Sequence, residues 1–308
     1  MSLLRALEGL RTPFFDKLFA AVTYLGDQTV FIVVVLTMLW CVDKRKGYCL
    51  FFIGMVGTSV NQLLKAVFLV PRPWVKDPSF TIVEAARAGA TGYSFPSGHT
   101  QSATGIFAAF ALWGKRRWAA ALCGAVILIT AFSRMYLGVH TPLDVGVSLA
   151  VGLITAYFGV WAFGKWSNKT LRGVAFAFVA SFAAYLLLMP KGAANVAEFD
   201  AHGLKSAYTL LGAAGGLCVA WWADEKYLRY NIRALPWAQL LKLATGLALL
   251  LAVKALLKAP LYALFRGNPA ADCLRYCLVA LFGGLVWPLT FPFWARLGQK
   301  TEKPKGDK

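Results

Sequence analysis

Nine apolar stretches, most of them about twenty residues long, alternate along this chain with short clusters of charge. A hydrocarbon layer about 30 Å thick is crossed by about 20 helical residues at 1.5 Å each. Inside it every backbone N–H and C=O must find a partner within the chain, so such stretches fold as helices. The expected fold is all-α: a polytopic transmembrane bundle of about nine spans with an amino-terminal interfacial helix. Composition agrees, since 58% of the 308 residues are hydrophobic and only 15% are charged, well under the usual share for a soluble domain.

The spans lie near Thr29–Val42, Tyr48–Val70, Gly98–Trp113, Trp118–Leu137, Thr141–Phe163, Leu171–Met189, Leu204–Trp222, Trp237–Leu257 and Tyr276–Trp294. The opening MSLLRALEGLRTPFFDKLF is amphipathic and has no small-residue cleavage site. It reads as an interfacial helix rather than a cleaved signal. The chain then divides into an interfacial segment over 1–28, a helical core over 29–165, further transmembrane helices over 166–296 and a basic tail over 297–308.

The net charge of +18 does not indicate nucleic acid, because the cations are confined to short clusters between apolar runs, where they set topology. Alternate loops carry Lys44–Lys46, Lys115–Arg117, Lys165, Lys169, Arg172, Lys226, Arg229, Arg233, Lys242, Arg296 and the tail lysines, eighteen of the thirty-two basic residues. That set is expected to face the cytoplasm, with the amino terminus outside. Nine of the eleven tryptophans cluster near the same boundary, as an aromatic belt would. The six cysteines form no CxxC pair, and neither a disulfide nor a metal is assigned.

Three stretches on the outward side carry cations or histidines that topology alone does not explain. KAVFLVPRP places Lys65 near a helix end and Arg72 seven residues on, two turns away if the helix persists; two snorkelling cations would look the same. FPSGHT offers Ser97 as helix N-cap, Gly98 for close backbone approach and His99 in the first turn. Free amides at a helix start make an anion site, although an ordinary cap fits too. SRMYLGVHTPLD puts His140 just before a helix capped by Thr141, with Asp144 placed to fix the imidazole tautomer, to cap the helix, or both.

Two histidines, an aspartate, three cations and free amides suit phosphoryl transfer without metal. That reaction needs positive charge around the equatorial oxygens, an in-line nucleophile and an acid for the leaving oxygen.

The three stretches resemble the signature of the type 2 phosphatidic acid phosphatase superfamily: KxxxxxxRP, PSGH and SRxxxxxHxxxD. Every fixed position matches, namely Lys65, Arg72 and Pro73; Pro96, Ser97, Gly98 and His99; Ser133, Arg134, His140 and Asp144. The resemblance implies that His140 is the nucleophile, Asp144 its orienting partner and His99 the acid and base. It implies that Lys65, Arg72, Ser97, Gly98 and Arg134 hold the phosphoryl oxygens, with no cofactor. Nine spans with an outside amino terminus are similar to the layout of the glucose-6-phosphatase branch. The expected activity is hydrolysis of a lipid phosphate or diphosphate at the non-cytoplasmic face of a bacterial inner membrane. A soluble sugar phosphate as substrate, a lipid phosphotransferase, and a non-enzymatic transporter or scaffold are the alternatives. Beyond residue 170 no second constellation appears, and Gly212, Gly215, Gly216, Gly283 and Gly284 suit close helix packing.

Overall fold

The computed structural model describes residues 1–188 and 197–297, and among these it contains helices and no strand. Two helices, α1 (Ser2–Gly9) and α2 (Pro13–Val22), lead through a 3₁₀ turn at Thr23–Gly26 into α3 (Gln28–Thr37). There follow α4 (Lys44–Phe68), the one-turn α5 (Pro73–Lys76), α6 (Gly98–Trp113), α7 (Arg117–Tyr136), α8 (Pro142–Lys165) and α9 (Asn168–Leu188). The remainder is α10 (Ala197–Ala223), α11 (Pro236–Leu256), α12 (Lys258–Leu264), α13 (Ala271–Leu281) and α14 (Phe291–Arg296).

Helix occupies most of each expected span as far as it is described; Met189 and the tail from 298 lie outside the described residues. Six helical segments are long and apolar enough to cross a membrane, or seven if the pair 13–26 and 28–42, bent by 48°, is one broken span. The expected nine exceeds this count. The stretches that fall short are α6, with sixteen residues, and α10, whose charge-free part over 206–223 is rich in Gly, Ser, Tyr and Trp and so only moderately apolar.

The amino-terminal segment also differs from a single interfacial helix. Leu4 is fully buried in a cluster with Phe80, Ile82, Tyr136 and Leu137. Arg5 pairs with Asp77 at 2.6 Å, Glu8 accepts from the Thr81 amide at 2.8 Å, and Arg11 donates to the Tyr136 carbonyl at 3.1 Å. The buried face of α1 is spent on the chain's own loop around Phe80 and Ile82 and on the end of α7.

α4 is the central helix, buried along Tyr48, Cys49, Leu50, Phe51, Phe52, Ile53 and Val56 and packed by α6, α8, α9 and α10. Removing that apolar surface from contact with anything looser secures dispersion and shape rather than a water-driven gain. α10 lies against α13 at backbone distance, since a Cβ at Gly212 or Gly216 would collide with the carbonyl oxygen of Cys273 or Cys277. Gly283 and Gly284 are confined by side chains instead, Leu250 for the first and Ala220 and Leu217 for the second, whereas Gly215 has only ordinary contact with Phe176. At the end away from the motifs, Lys44 and Tyr48 of α4 converge on buried Asp224, at 2.9 and 3.2 Å. The tryptophan belt needs correcting there. Trp40 is fully buried and donates to the Gly283 carbonyl, and Trp221 stacks between Tyr48 and Phe163; both are core residues.

Candidate active site

The end of α4, the start of α6, the end of α7 and the start of α8 meet at one end of the bundle, which gathers the three motifs. The helix carrying Lys65 does not persist to Arg72. It stops at Phe68, where Leu69 turns left-handed with φ 46°, and Pro71 and Pro73 hold the exit extended. Arg72 therefore reaches the site from a loop. Its Nε donates to the Gly92 carbonyl at 3.0 Å, Nη2 to Thr91 at 2.7 Å and Nη1 to Val139 at 3.0 Å, and Nη1 meets His140 Nε2 at 2.9 Å. Lys65 donates to the carbonyls of Tyr93 and Ser94 at 2.8 and 3.4 Å.

That arginine contact decides the tautomer of His140. A guanidinium can only donate, so Nε2 presents its lone pair and the ring proton sits on Nδ1. Nδ1 faces Asp144 Oδ2 at 3.6 Å. Of its expected roles Asp144 fills that of the cap: Thr141 and Asp144 form a capping box at the start of α8, and Oδ2 accepts from the Thr141 amide at 2.7 Å, while His140 Nδ1 makes no hydrogen bond in the protein. The same oxygen accepts a hydrogen bond from Ser94 Oγ. His140 is 2% exposed. Burial first, then the charges of Arg72, Arg134 and Lys65, push its imidazole well below the ordinary histidine range, so the ring is neutral.

Ser97 caps α6, its Oγ accepting from the Thr100 amide at 3.4 Å and the Thr100 hydroxyl at 3.0 Å. Gly98 has open space where a Cβ would stand. His99 turns Nε2 toward Asp27 Oδ2, 3.9 Å away. Arg134 donates Nη1 to Thr23 Oγ1 at 2.7 Å, and its Nε and Nη2 are buried with no hydrogen-bond partner in the protein.

A cavity of about 320 Å³ opens among these groups, lined by Lys65, Arg72, Gly98, His99 and His140. Ser97, Arg134 and Asp144 are buried and do not line it. For Ser97 this departs from the expected role as a phosphate ligand, because its hydroxyl is committed to the helix start. Among the described residues no three of His, Cys, Asp and Glu converge in a way that could hold a metal ion.

Three participants were not singled out in the sequence: Thr23, Asp27 and Ser94. Asp27 was visible only as a helix cap, its Oδ1 accepting from the Thr29 amide at 2.7 Å. Gly26 lets that turn approach, since a Cβ there would strike the His99 carbonyl oxygen. Ser94 stands just before PSGH and carries no spacing signal of its own.

Residues 46–168 match the PAP2 superfamily, and residues 208–300 match the PAP2 superfamily phosphatase, transmembrane extension. Undecaprenyl-diphosphatase BcrC of Bacillus subtilis is 36% identical over 106 residues, 34% of this chain and 51% of its own. A probable sphingosine-1-phosphate phosphatase of Dictyostelium discoideum is 29% identical over 160 residues, 48% of this chain and 38% of its own. The chain thus spans about half the length of the first relative and less of the second. The crystal structure of Aquifex aeolicus LpxE superposes with a TM-score of 0.46 at 28% identity, over 52% of this chain and 93% of that one.

Proposed function

Because this chain belongs to the PAP2 superfamily, the type 2 phosphatidic acid phosphatases, we propose that it is an integral membrane phosphatase acting on a lipid phosphate or lipid diphosphate. The observation that carries the reading is the placement of His140 on the cavity wall, with Nε2 turned to Arg72 at 2.9 Å and Nδ1 on the side of Asp144. A buried lone pair beside a guanidinium is a nucleophile waiting next to its anion site.

In the proposed reaction a phosphoryl oxygen takes over the Arg72 donor, which frees Nε2 to attack phosphorus in line. The P–N bond forms as the ester P–O bond breaks, and His99, holding a second ring proton as an imidazolium once the phosphate dianion lies beside it, gives that proton to the leaving alkoxide and is left neutral. Asp144 balances the charge growing on the His140 ring through Nδ1–H. Water then attacks the phosphohistidine, His99 takes its proton, and the P–N bond breaks to release phosphate. Lys65, Arg72 and the Gly98 amide, all on the cavity wall, hold the equatorial oxygens; Arg134, off that wall, joins them through its two unpartnered nitrogens when the phosphoryl group is bound.

The catalytic unit is proposed to begin before residue 29, at Thr23, and to run to about 165, with residues 166–296 as an extension. The charge pattern of the loops supports a site on the non-cytoplasmic face, and a bacterial inner membrane is the proposed location. The test is phosphate release by the purified chain from lipid phosphates, lipid diphosphates and sugar phosphates, with excess chelator present. Turnover of a lipid ester and an acid-labile phosphohistidine in quenched enzyme are expected. A His140→Ala chain as active as the parent overturns the reading.

A further inference from the structure

The end of the bundle away from the motifs holds a second cavity, of about 230 Å³, between the start of α4 and the last turns of α6 and α8. Its lining is of two kinds. Arg45 and Lys46 bring cations from the first turn of α4, whereas Trp113 of α6 and Val160 and Phe163 of α8 supply an apolar wall. The charge clusters Lys44–Lys46, Lys115–Arg117 and Lys165 mark these helix ends as a membrane boundary. A cavity at that level meets the headgroups and first methylenes of one leaflet.

The positive charge on the lining is not cancelled. Among the described residues Asp43 is the one acidic residue there. Its carboxylate caps α4, accepting from the Lys46 amide at 3.1 Å, and stands 3.6 Å from Lys46 Nζ. Two cations against that one carboxylate leave an excess. Arg45 commits Nη2 to the Phe163 carbonyl, which sets the guanidinium across the gap between α4 and α8 and leaves the rest of its fork for an oxyanion. Lys46 Nζ lies 5.6 Å from the centre of the Trp113 ring, so cation and apolar wall adjoin. The apolar side also continues out of the cavity. Trp161 and Tyr157 stand three and seven residues before Gly164 on the same face of α8, and are 44% and 66% exposed.

We propose that this cavity binds an anionic glycerophospholipid of the adjacent leaflet. Arg45 and Lys46 grip its phosphate, Trp113 and Phe163 flank the glycerol end, and an acyl chain lies along Trp161 and Tyr157. A zwitterionic lipid carries the same phosphate but brings its own cation into a positive cavity, so a net negative headgroup is favoured. The lipid is held and not turned over, because no histidine lines this cavity among the described residues. Arg45 and Lys65 stand twenty residues apart on α4, about 30 Å at 1.5 Å each, which puts the lipid site and the phosphoryl site at opposite ends of one helix.

The test uses the purified full chain, stripped of lipid in neutral detergent and given dioleoyl phosphatidylglycerol or dioleoyl phosphatidylcholine at equal mole fraction. Melting temperature and the lipid retained in native mass spectra are the readouts. Phosphatidylglycerol should raise Tm by about 3 °C or more above phosphatidylcholine and remain as one molecule per chain. Arg45→Gln and Lys46→Gln should each lose most of that shift, while Arg116→Gln with Arg117→Gln, outside the cavity, should keep it. Should Arg45→Gln fail to fold for want of its bond to Phe163, Lys46→Gln and Trp113→Ala decide the matter. Equal shifts with the two lipids, or a full shift retained in Lys46→Gln and Trp113→Ala, overturn the site. A full shift with glycerol 3-phosphate alone overturns the lipid as its occupant. Because the readouts are melting and retention, a chain that releases no phosphate from any ester would overturn the phosphatase reading and leave this inference standing.

Discussion

Arg72 and His140, 68 residues apart in sequence, meet at 2.9 Å on the wall of the cavity, guanidinium to imidazole. The arginine is anchored by three backbone carbonyls, those of Thr91, Gly92 and Val139, so one side chain shapes the loop before PSGH and holds the lone pair of the histidine.

A lysine at position 72 is expected to fail at both tasks. Its single ammonium cannot reach three carbonyls and a phosphoryl oxygen in the fixed fork that arginine presents. Arg72→Lys should lower kcat/KM by about 10²-fold or more, as loss of a charged transition-state donor does. Phosphate-release kinetics on the purified variant check this.

Asp144 stands 3.6 Å from His140 Nδ1 and is itself held by Ser94. Asp144→Asn should keep the helix cap, through its remaining carbonyl oxygen, and lower kcat by about 10²- to 10⁴-fold. Ser94→Ala removes one hydrogen bond from the carboxylate and should lower kcat by about tenfold with little change in KM. Circular dichroism reports whether the fold survives in each, and a Ser94→Ala chain with parental kcat would show that this hydrogen bond does not matter to the reaction.

Asp27 presents one oxygen to the Thr29 amide and the other to His99. Asp27→Asn retains an oxygen for the cap and loses the charge beside the imidazole. It should therefore lower kcat by about tenfold while the melting temperature stays near that of the parent, whereas Asp27→Ala also loses a cap of about 1 kcal/mol. Equal kcat in Asp27→Asn and the parent would reduce Asp27 to a helix cap.

The depressed proton affinity of His140 gives a signed pH dependence. In the unfolded chain the ring titrates near 6.5, and in the folded chain well below it. Below about pH 6.5 the unfolded chain binds a proton that the folded chain does not, so this contribution to stability is full above that pH and is lost as pH falls. Melting temperatures in detergent between pH 7 and 4 should decline, and His140→Gln should flatten the slope. A slope unchanged by that substitution would contradict the buried neutral ring.

The helical fold was legible because apolar runs of span length admit only one backbone solution in lipid. The motifs were legible because Lys65, Arg72, His99, Arg134, His140 and Asp144 carry their spacing within short local stretches. Span number was less so. Residues 13–42 bend by 48° where 3₁₀ geometry at Thr23–Gly26 meets the cap at Asp27, and run length alone does not report a bend. Trp40 and Trp221 show the same limit, since a tryptophan near a span end looks alike whether it faces lipid or packs inside.

The sequence by itself determined the element type, the grouping of the motifs at one end of the bundle, and the residue kinds able to grip and attack a phosphoryl group, because helical periodicity and motif spacing are local properties. The tertiary structure alone decided that Thr23 and Asp27 reach the site from the amino-terminal turn, that Ser97 is consumed by its cap, and that α10 joins α4 and α6 around the cavity. Those are contacts between segments far apart along the chain, set by close packing at positions such as Gly26, and no local pattern records which distant partner a buried side chain will meet.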